Sequence, residues 1–186
     1  MVEDDLGSDY LDSVLVGGRE SRDIVIVEYD PRWSKRFEEE RSRIAAALGG
    51  RAMLIQHFGS TAVAGLAAKP IIDILVVVEN ANDEAAYASH LEAAGYAVRV
   101  REPGHRMFRS LARDVHVHLW SAGDHEIERH LHFRDRLRES EADRKTYESA
   151  KRELATRQWQ DTNDYAEAKS TVIQEIMERL PERDSE

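Results

Sequence analysis

Residues 57–78 read HFGSTAVAGLAAKPIIDILVVV, and this stretch carries the main information on fold and site. A Gly-Ser-Thr turn follows an apolar, strand-like run, and a Lys-Pro pair leads into a second apolar run that only Asp73 interrupts. A carboxylate in such a strand is costly to bury unless a cation, a hydrogen-bond network or solvent receives it. The stretch therefore predicts an internal strand with a functional site around Asp73.

The flanking sequence predicts an α+β domain, with an α/β mixed sheet and a helical C-terminal third. A helix is expected after Asp30 and Pro31, and another at residues 82–94. β-branched and alternating patterns predict strands at residues 24–29, 53–58, 70–78, 96–102, 105–112 and 114–120. Helical patterns follow at residues 125–140, 141–157 and 161–180. The sheet therefore precedes a helical part at about residues 124–181.

Length and charge predict one domain at residues 23–181, with acidic and flexible tails at residues 1–22 and 182–186. The net charge is −10, but residues 1–23 contain seven acidic and two basic residues, and residues 182–186 contain three and one. Acidity therefore argues against binding to nucleic acid or to a membrane surface. The chain has no cysteine, and its N-terminus lacks a signal-peptide pattern, so a cytoplasmic location is expected.

The motifs GST and GLAAKPIIDILV resemble the signature of the GrpB-like proteins, a branch of the nucleotidyltransferase superfamily. FRDRLRES, YESAKRELA and YAEAKSTVIQEI, at residues 133–140, 147–155 and 165–176, extend the resemblance over residues 24–180. The resemblance implies a nucleotidyltransferase-like fold, with Gly59, Ser60 and Asp73 in the superfamily pattern. Two departures stand out, because active members place a second carboxylate at the position of Leu75 and the family usually has proline at the position of Ala64.

The Gly-Ser-Thr turn and the lysine after it are candidates for binding phosphate. A small turn at a strand end can offer N–H groups and hydroxyls to an anion, so Gly59, Ser60, Thr61 and Lys69 are expected to bind a nucleotide. The alternatives are an ordinary tight turn and a lysine at the sheet edge. If the site is catalytic, Ser60, Lys69 and Asp73 are the residues expected to act.

Asp73 is the best candidate for a metal ligand, and two histidines are candidates for completing the site. His116 and His118 alternate with apolar residues in VHVHLW, so both imidazoles face one side of a strand. A carboxylate favours Mg²⁺, whereas imidazole favours Mn²⁺ or Zn²⁺, so the cofactor is expected to be one of these divalent ions. His57 is a further possible ligand. The alternative for the histidines is a hydrogen-bonded polar face.

Five arginines lie at residues 99–113, and Arg106 and Arg109 are the pair favoured for binding an anion. Guanidinium groups match phosphate and carboxylate oxygens in a bidentate geometry. The alternative is the solvated face of an antiparallel sheet.

The leading functional hypothesis is transfer of a nucleotidyl group from a nucleoside triphosphate to an acceptor that the sequence does not identify. A second hypothesis is a non-catalytic module that binds a nucleotide or a CoA-like phosphate ligand, and Leu75 favours it. The third is a metal-dependent hydrolase built on Asp73, His116 and His118. A nucleotide or another phosphorylated small molecule is the expected partner.

Overall fold

A computed structural model of the chain describes residues 10–21, 23–159 and 161–179. Its centre is a five-stranded mixed sheet with the strand order β1-β2-β5-β4-β3. Only the β2–β5 pair is parallel, and the other neighbours are antiparallel. The strands are β1 (Leu54–His57), β2 (Ile72–Val78), β3 (Tyr96–Glu102), β4 (His105–Ser110) and β5 (Val115–Ser121).

Helices cover the sheet unequally. The helices are α1 (Arg32–Leu48), α2 (Ala88–Ala93), α3 (His125–Glu139), α4 (Glu141–Ala155), α5 (Thr162–Glu167) and α6 (Ser170–Met177). Helices α1 and α2 pack on one face of the sheet, where Ile74, Val76 and Phe108 belong to the main core. On the opposite face, α3 covers Leu75, Val77 and Trp120. The rest of that face borders a cavity.

The α+β fold with a mixed sheet and a helical C-terminal third is confirmed. The apolar run after Lys69 forms β2, which lies between β1 and β5 as its lack of polar residues predicts. In the parallel register, Asp73 is opposite His116 and Leu75 is opposite His118. Because side chains alternate along each strand, these four residues share one face of the sheet.

Three predicted elements differ in the structure. Residues 24–29 form no strand beyond a single bridge between Val27 and Ala68, which exchange two backbone hydrogen bonds. Residues 82–94 contain a 3₁₀ turn (Glu84–Ala86) before α2 instead of one helix. The C-terminal helix expected at residues 161–180 is divided between Ala168 and Lys169 into α5 and α6.

The N-terminal segment, which is defined here as residues 10–21, packs on the sheet. The sequence pattern predicts a flexible tail, but residues 10–14 are helical and Leu15 forms a bridge with Val100. Val14 and Leu15 are buried. The prediction of a flexible tail rested on acidic composition, whereas these two apolar side chains allow the segment to pack. The remainder of the two predicted tails lies outside the described residues. No helix of the described part is long and apolar enough to cross a membrane.

Candidate functional site

Asp73, His116 and His118 converge on one face of the sheet. His116 Nδ1 is 3.4 Å and His118 Nε2 is 3.9 Å from Asp73 Oδ1. One ligand atom from each residue lies within 4.8 Å of the others. Adjacent parallel strands deliver them, since β2 supplies the carboxylate and β5 supplies both imidazoles. One carboxylate and two imidazoles form a donor set that suits Mn²⁺ or Zn²⁺.

A chain of hydrogen bonds orients His118. His105 Nδ1 lies 2.7 Å from a carboxylate oxygen of Glu102, and His105 Nε2 lies 3.1 Å from His118 Nδ1. Because a carboxylate only accepts, His105 donates from Nδ1, and a neutral His105 accepts from His118 through Nε2. His118 Nε2 is then unprotonated and faces Asp73. A nitrogen lone pair that faces a carboxylate leaves room for a cation between the two side chains. In metal sites, outer-shell partners orient ligating histidines in this way.

The charge states of the group agree with this assignment. Burial alone would raise the pKa of Asp73, but the hydrogen bond with His116 and the nearby imidazoles and Lys169 outweigh it, so the pKa is lowered. Burial holds the pKa of His118 well below its usual value, and the neighbouring His105 acts in the same direction. Asp73 is therefore ionised and His118 is neutral at neutral pH, and metal binding requires both of these states in the two residues.

The Gly-Ser turn lies directly over the carboxylate. A Cβ atom added to Gly59 would be 2.2 Å from Asp73 Oδ2, so only glycine fits there without displacement. Ser60 begins a 3₁₀ turn (Ser60–Ala62) and its hydroxyl is hydrogen-bonded with the phenol of Tyr147. Burial raises the pKa of Tyr147 to about 12, so the phenol stays protonated. Gly59 and Ser60 therefore border the candidate metal site.

Thr61 and His57 form a separate contact beneath the turn. The Thr61 hydroxyl donates to the Ile71 carbonyl oxygen and accepts from His57 Nε2, at 2.9 and 3.0 Å. The His57 imidazole stacks on Phe37 of α1 at 4.7 Å between ring centroids. Burial lowers the pKa of His57 to about 4. The structure thus places His57 on the α1 side, outside the Asp73 group, and gives Thr61 a structural contact.

The site opens into a cavity of about 450 Å³, a volume suited to a small-molecule ligand. Its walls carry far more cations than anions. The carboxylates are Glu20 and Asp73, and the lysine and arginine side chains are Lys69, Arg99, Arg109, Arg113, Arg134, Lys151 and Lys169. Such an excess of positive charge in a concave, partly desolvated surface favours an anionic ligand.

Three lysines surround two tyrosines at one end of this cavity. Lys69 and Lys169 lie over the Tyr165 ring, at 5.5 and 5.0 Å from its centroid. Lys151 lies 4.8 Å from the Tyr147 centroid and donates to the Ala67 carbonyl oxygen at 2.6 Å. Burial, with the like charge of Lys169 as a further cause, lowers the pKa of Lys151 to about 7. Lys69, for which phosphate binding is predicted, thus lies in a group of three lysines.

The two favoured arginines face opposite sides of the sheet. Arg109 is paired with His116 across β4 and β5, and it lines the cavity. Arg106 is three residues earlier on β4, so it points to the other face, where Glu84 accepts from it at 2.6 Å. The expectation that both arginines belong to one site is therefore corrected: only Arg109 reaches the cavity.

Leu75, which stands where the resemblance implies a second carboxylate, is an apolar core residue in the structure. The side chain is 0% exposed and packs with Val77 and Trp120. In the described part of the chain, the only group of three residues that could hold a metal ion contains one carboxylate.

Sequence patterns missed three contributors to the site. His105 shares the parity of Arg109 on β4, and that signal could have placed it on the face of His118. Lys151 belongs to the YESAKRELA motif but shows no local sign of facing a cavity. Glu20 lies far away in sequence, so only tertiary structure brings it to the site.

The chain is similar to several known proteins. Residues 23–179 match the family described as GrpB protein. A UPF0157 protein of Halalkalibacterium halodurans is 48% identical, over 84% of this chain and 82% of that protein. A UPF0157 protein of Streptomyces coelicolor is 47% identical, over 89% of this chain and 88% of that protein. A dephospho-CoA kinase of Mycobacterium bovis is 39% identical over 74 residues, which are 38% of this chain and 18% of that protein.

A solved structure agrees with the fold. The crystal structure of conserved protein GrpB from Enterococcus faecalis aligns with a TM-score of 0.72 at 33% identity, covering 83% of this chain and 98% of that chain. Placement in the nucleotidyltransferase superfamily stays a prediction. The match over residues 23–179, together with these relatives, shows that the chain belongs to the GrpB protein family.

Proposed function

We propose that the protein binds a nucleoside triphosphate with a divalent cation and transfers the nucleotidyl group to an acceptor. One observation carries the proposal: the group of Asp73, His116 and His118 lies in the wall of a cavity lined by seven basic side chains. A triphosphate needs both elements, because cations and a metal ion together neutralise its charge.

The residues divide between holding phosphate and holding the cation. Ser60 and the backbone of the turn would face the phosphates, while Lys69 and Lys169, which also line the cavity, would supply positive charge. Asp73, His116 and His118 would hold the cation, which supplies charge neutralisation at the phosphate oxygens. In the transfer, an acceptor oxygen or nitrogen bonds to the α-phosphorus, its proton passes to solvent, and the bond to the β-phosphate oxygen breaks to release pyrophosphate.

The proposal is tested first by metal and nucleotide binding. After metal removal with EDTA, Mn²⁺ should raise the thermal midpoint more than Mg²⁺, because two of the three ligands are nitrogens. ATP should raise it further in the presence of Mn²⁺. Asp73→Asn should abolish the Mn²⁺ effect. His125→Gln is the matched control, because this histidine is exposed on α3. Equal, weak shifts with both ions in the unmodified protein would contradict the metal site.

Turnover is tested with ATP labelled at the α-phosphate. The proposed transfer predicts label on a protein or small-molecule acceptor in a cell extract, together with pyrophosphate release. Asp73→Asn should lose both. Retained labelling in this variant would contradict the assigned role of the carboxylate.

A second candidate is a module that binds a nucleotide or a CoA-like phosphate ligand without turnover. Leu75 favours it, because its burial among Val77 and Trp120 removes the second carboxylate of the superfamily pattern. The partial similarity to a dephospho-CoA kinase is compatible with a ligand of this class. Saturable binding of ATP or CoA, with no transfer of label above background, would favour the module over the enzyme.

A further inference from the structure

A carboxylate of the chain itself occupies the arginine side of the cavity. Glu20 accepts from Arg109 through both oxygens, at 2.7 and 2.9 Å, and from Arg113 at 3.2 Å. These contacts, with the charge of Arg99 nearby, lower the pKa of Glu20 to about 2. The hydrogen bond from Arg109 is the largest cause. Glu20 is therefore ionised and bound in the bidentate geometry that guanidinium offers to any oxyanion.

The cluster of Arg99, Arg109 and Arg113 carries more charge than Glu20 neutralises. Arg99 is 5% exposed, and burial lowers its pKa, with Arg109 and Arg113 acting in the same direction. A single carboxylate balances one of three guanidinium charges. Asp161 contributes a second negative charge, and one of its carboxylate oxygens accepts from the Glu20 backbone N–H at 2.8 Å. The cluster thus keeps a positive excess that suits a more highly charged ligand.

The cluster lies one strand away from the candidate metal group. Asp73, His116 and Arg109 are cross-strand partners in one row over β2, β5 and β4. Neighbouring strands are about 4.8 Å apart, so Arg109 lies about 10 Å from Asp73 along this row. That separation suits a second reactant whose acidic group binds the arginines while its reacting atom reaches the metal group.

The N-terminal segment has a pair of glycines close to Glu20. Gly17 and Gly18 have positive φ angles of 86° and 75°, and Cβ atoms built at these two positions would meet no atom closer than 3.8 Å. Leu15, on the other side of this pair, is held by its bridge with Val100. The glycine pair allows the backbone to rotate between Leu15 and Glu20, and displacement of Glu20 would also break the hydrogen bond from its backbone N–H to Asp161. Residues 10–21 also precede residue 23, where the match to the GrpB family begins.

We propose that Arg99, Arg109 and Arg113 form an oxyanion subsite for the acceptor substrate, and that Glu20 occupies it as an internal competitor. The identification of this ligand as the acceptor rests on the proposed function. The ligand class is a small molecule or side chain with a carboxylate or a phosphate group. Binding displaces Glu20 about the glycine pair, so the segment controls access to the subsite.

The experiment measures the affinity for two probes, succinate and inorganic phosphate, by calorimetry without metal or nucleotide. An internal competitor at millimolar effective concentration weakens the affinity for an external anion. Glu20→Gln should therefore bind at least one probe about fivefold or more tightly than the unmodified protein. The probe that gains identifies the acidic group. Asp12→Asn is the matched control, because this residue belongs to the same segment and pairs with Arg19 on the surface.

Three results would overturn the proposal: an equal affinity in Glu20→Gln, an equal gain in Asp12→Asn, or a gain that persists in the double variant Glu20→Gln/Arg109→Gln. Glu20→Gln/Arg113→Gln repeats the last test at a more exposed arginine, in case the loss of Arg109 prevents folding. Failure here with intact ATP and Mn²⁺ binding rejects only the subsite. If the unmodified protein does not bind ATP but Glu20→Gln clearly gains affinity for succinate or phosphate, only the proposal of a nucleotide ligand is rejected.

Discussion

At the scale of single residues, the close contact between Gly59 and Asp73 sets the geometry of the candidate metal group. A methyl group at position 59 would overlap the carboxylate, so we expect Gly59→Ala to move Asp73 or the turn. Overpacking of this kind costs about 1–3 kcal/mol of unfolding free energy. Urea unfolding measures the loss, and calorimetry should show weaker Mn²⁺ binding. Gly50→Ala is the control, because its Cβ would meet nothing within 4 Å; an equal loss in both variants would contradict the role of the contact.

His105 is expected to act through His118. Without the acceptor at His105 Nε2, His118 loses the hydrogen bond that holds its Nε2 atom toward Asp73. Removing an outer-shell partner typically weakens metal binding about 10–100-fold. We therefore expect His105→Phe to lower the affinity for Mn²⁺ by this factor. His90→Phe, on the exposed side of α2, should have no effect. Unchanged Mn²⁺ affinity in His105→Phe would show that the hydrogen bond does not position the ligand.

The alternation of side chains explains what the sequence could predict at this scale. His116 and His118 are two residues apart, so the strand period predicted that they share a face, and the family resemblance added Asp73 to it. The structure places all three side chains on one face of the sheet. Arg106 and Arg109 are three residues apart, and the same rule puts them on opposite faces. The arginine pair was thus wrong for a reason that the sequence itself contained. Register between strands, by contrast, comes from tertiary pairing, so the partnership of His105 and His118 could not be read locally.

At the scale of elements, Ser140 links two helices. It ends α3 and begins α4, where its hydroxyl accepts from the Asp143 backbone N–H at 3.2 Å. Loss of such a cap usually costs about 1 kcal/mol. We expect Ser140→Ala to lower the free energy of unfolding by this amount in urea titrations. Ser42→Ala is the control, because Ser42 is exposed within α1 and caps no helix; a similar loss there would argue against the cap.

Elements with a complete local pattern were predicted, and elements that depend on a partner were not. β2 and β5 have apolar residues at the positions that face the core, so their existence and type were clear. Residues 24–29 have strand-like composition, yet only Val27 finds a partner backbone at Ala68. The break before α6 lies at Ala168 and Lys169, within a segment whose sequence pattern is helical throughout. Backbone pairing and tertiary contacts decided these cases, and neither leaves a local signal.

At the scale of the whole molecule, charge is separated in a way that composition conceals. The chain has a net charge of −10, yet its cavity is lined by seven basic side chains and two carboxylates. The basic residues come from β3, β4, the turn between β4 and β5, the turn before β2 and the helical C-terminal third. Helix α4 contacts the Gly-Ser turn through Tyr147 and Ser60, and α6 packs with Val63 and Leu66, which follow the turn. The net charge of the chain therefore reflects its surface. The preference of the cavity for an anionic ligand could be inferred only from the folded structure.

The buried lysine of this cavity should affect the pH dependence of the whole molecule's stability. The pKa of Lys151 is about 7 in the folded protein, whereas an unfolded lysine titrates near 10.5. Between these values the unfolded chain binds the proton more readily, so the free energy of unfolding rises with pH. Below pH 7 both states are protonated, and the contribution to the slope disappears. The slope from this group is at most about 1.4 kcal/mol per pH unit.

The expected measurement is urea unfolding between pH 7.5 and 9.5. Above this range the ionisation of tyrosine interferes, because burial raises the pKa of Tyr147 to about 12 while unfolded tyrosine ionises near 10. The free energy of unfolding that Tyr147 contributes is therefore lost as the pH rises from about 10 to about 12. Lys151→Met should be more stable than the unmodified protein at pH 7.5, and its slope should be smaller. Lys145→Met, on the same helix with a side chain 74% exposed, should keep the slope. Parallel pH profiles for all three proteins would show that Lys151 keeps its charge in the folded protein, contrary to the prediction.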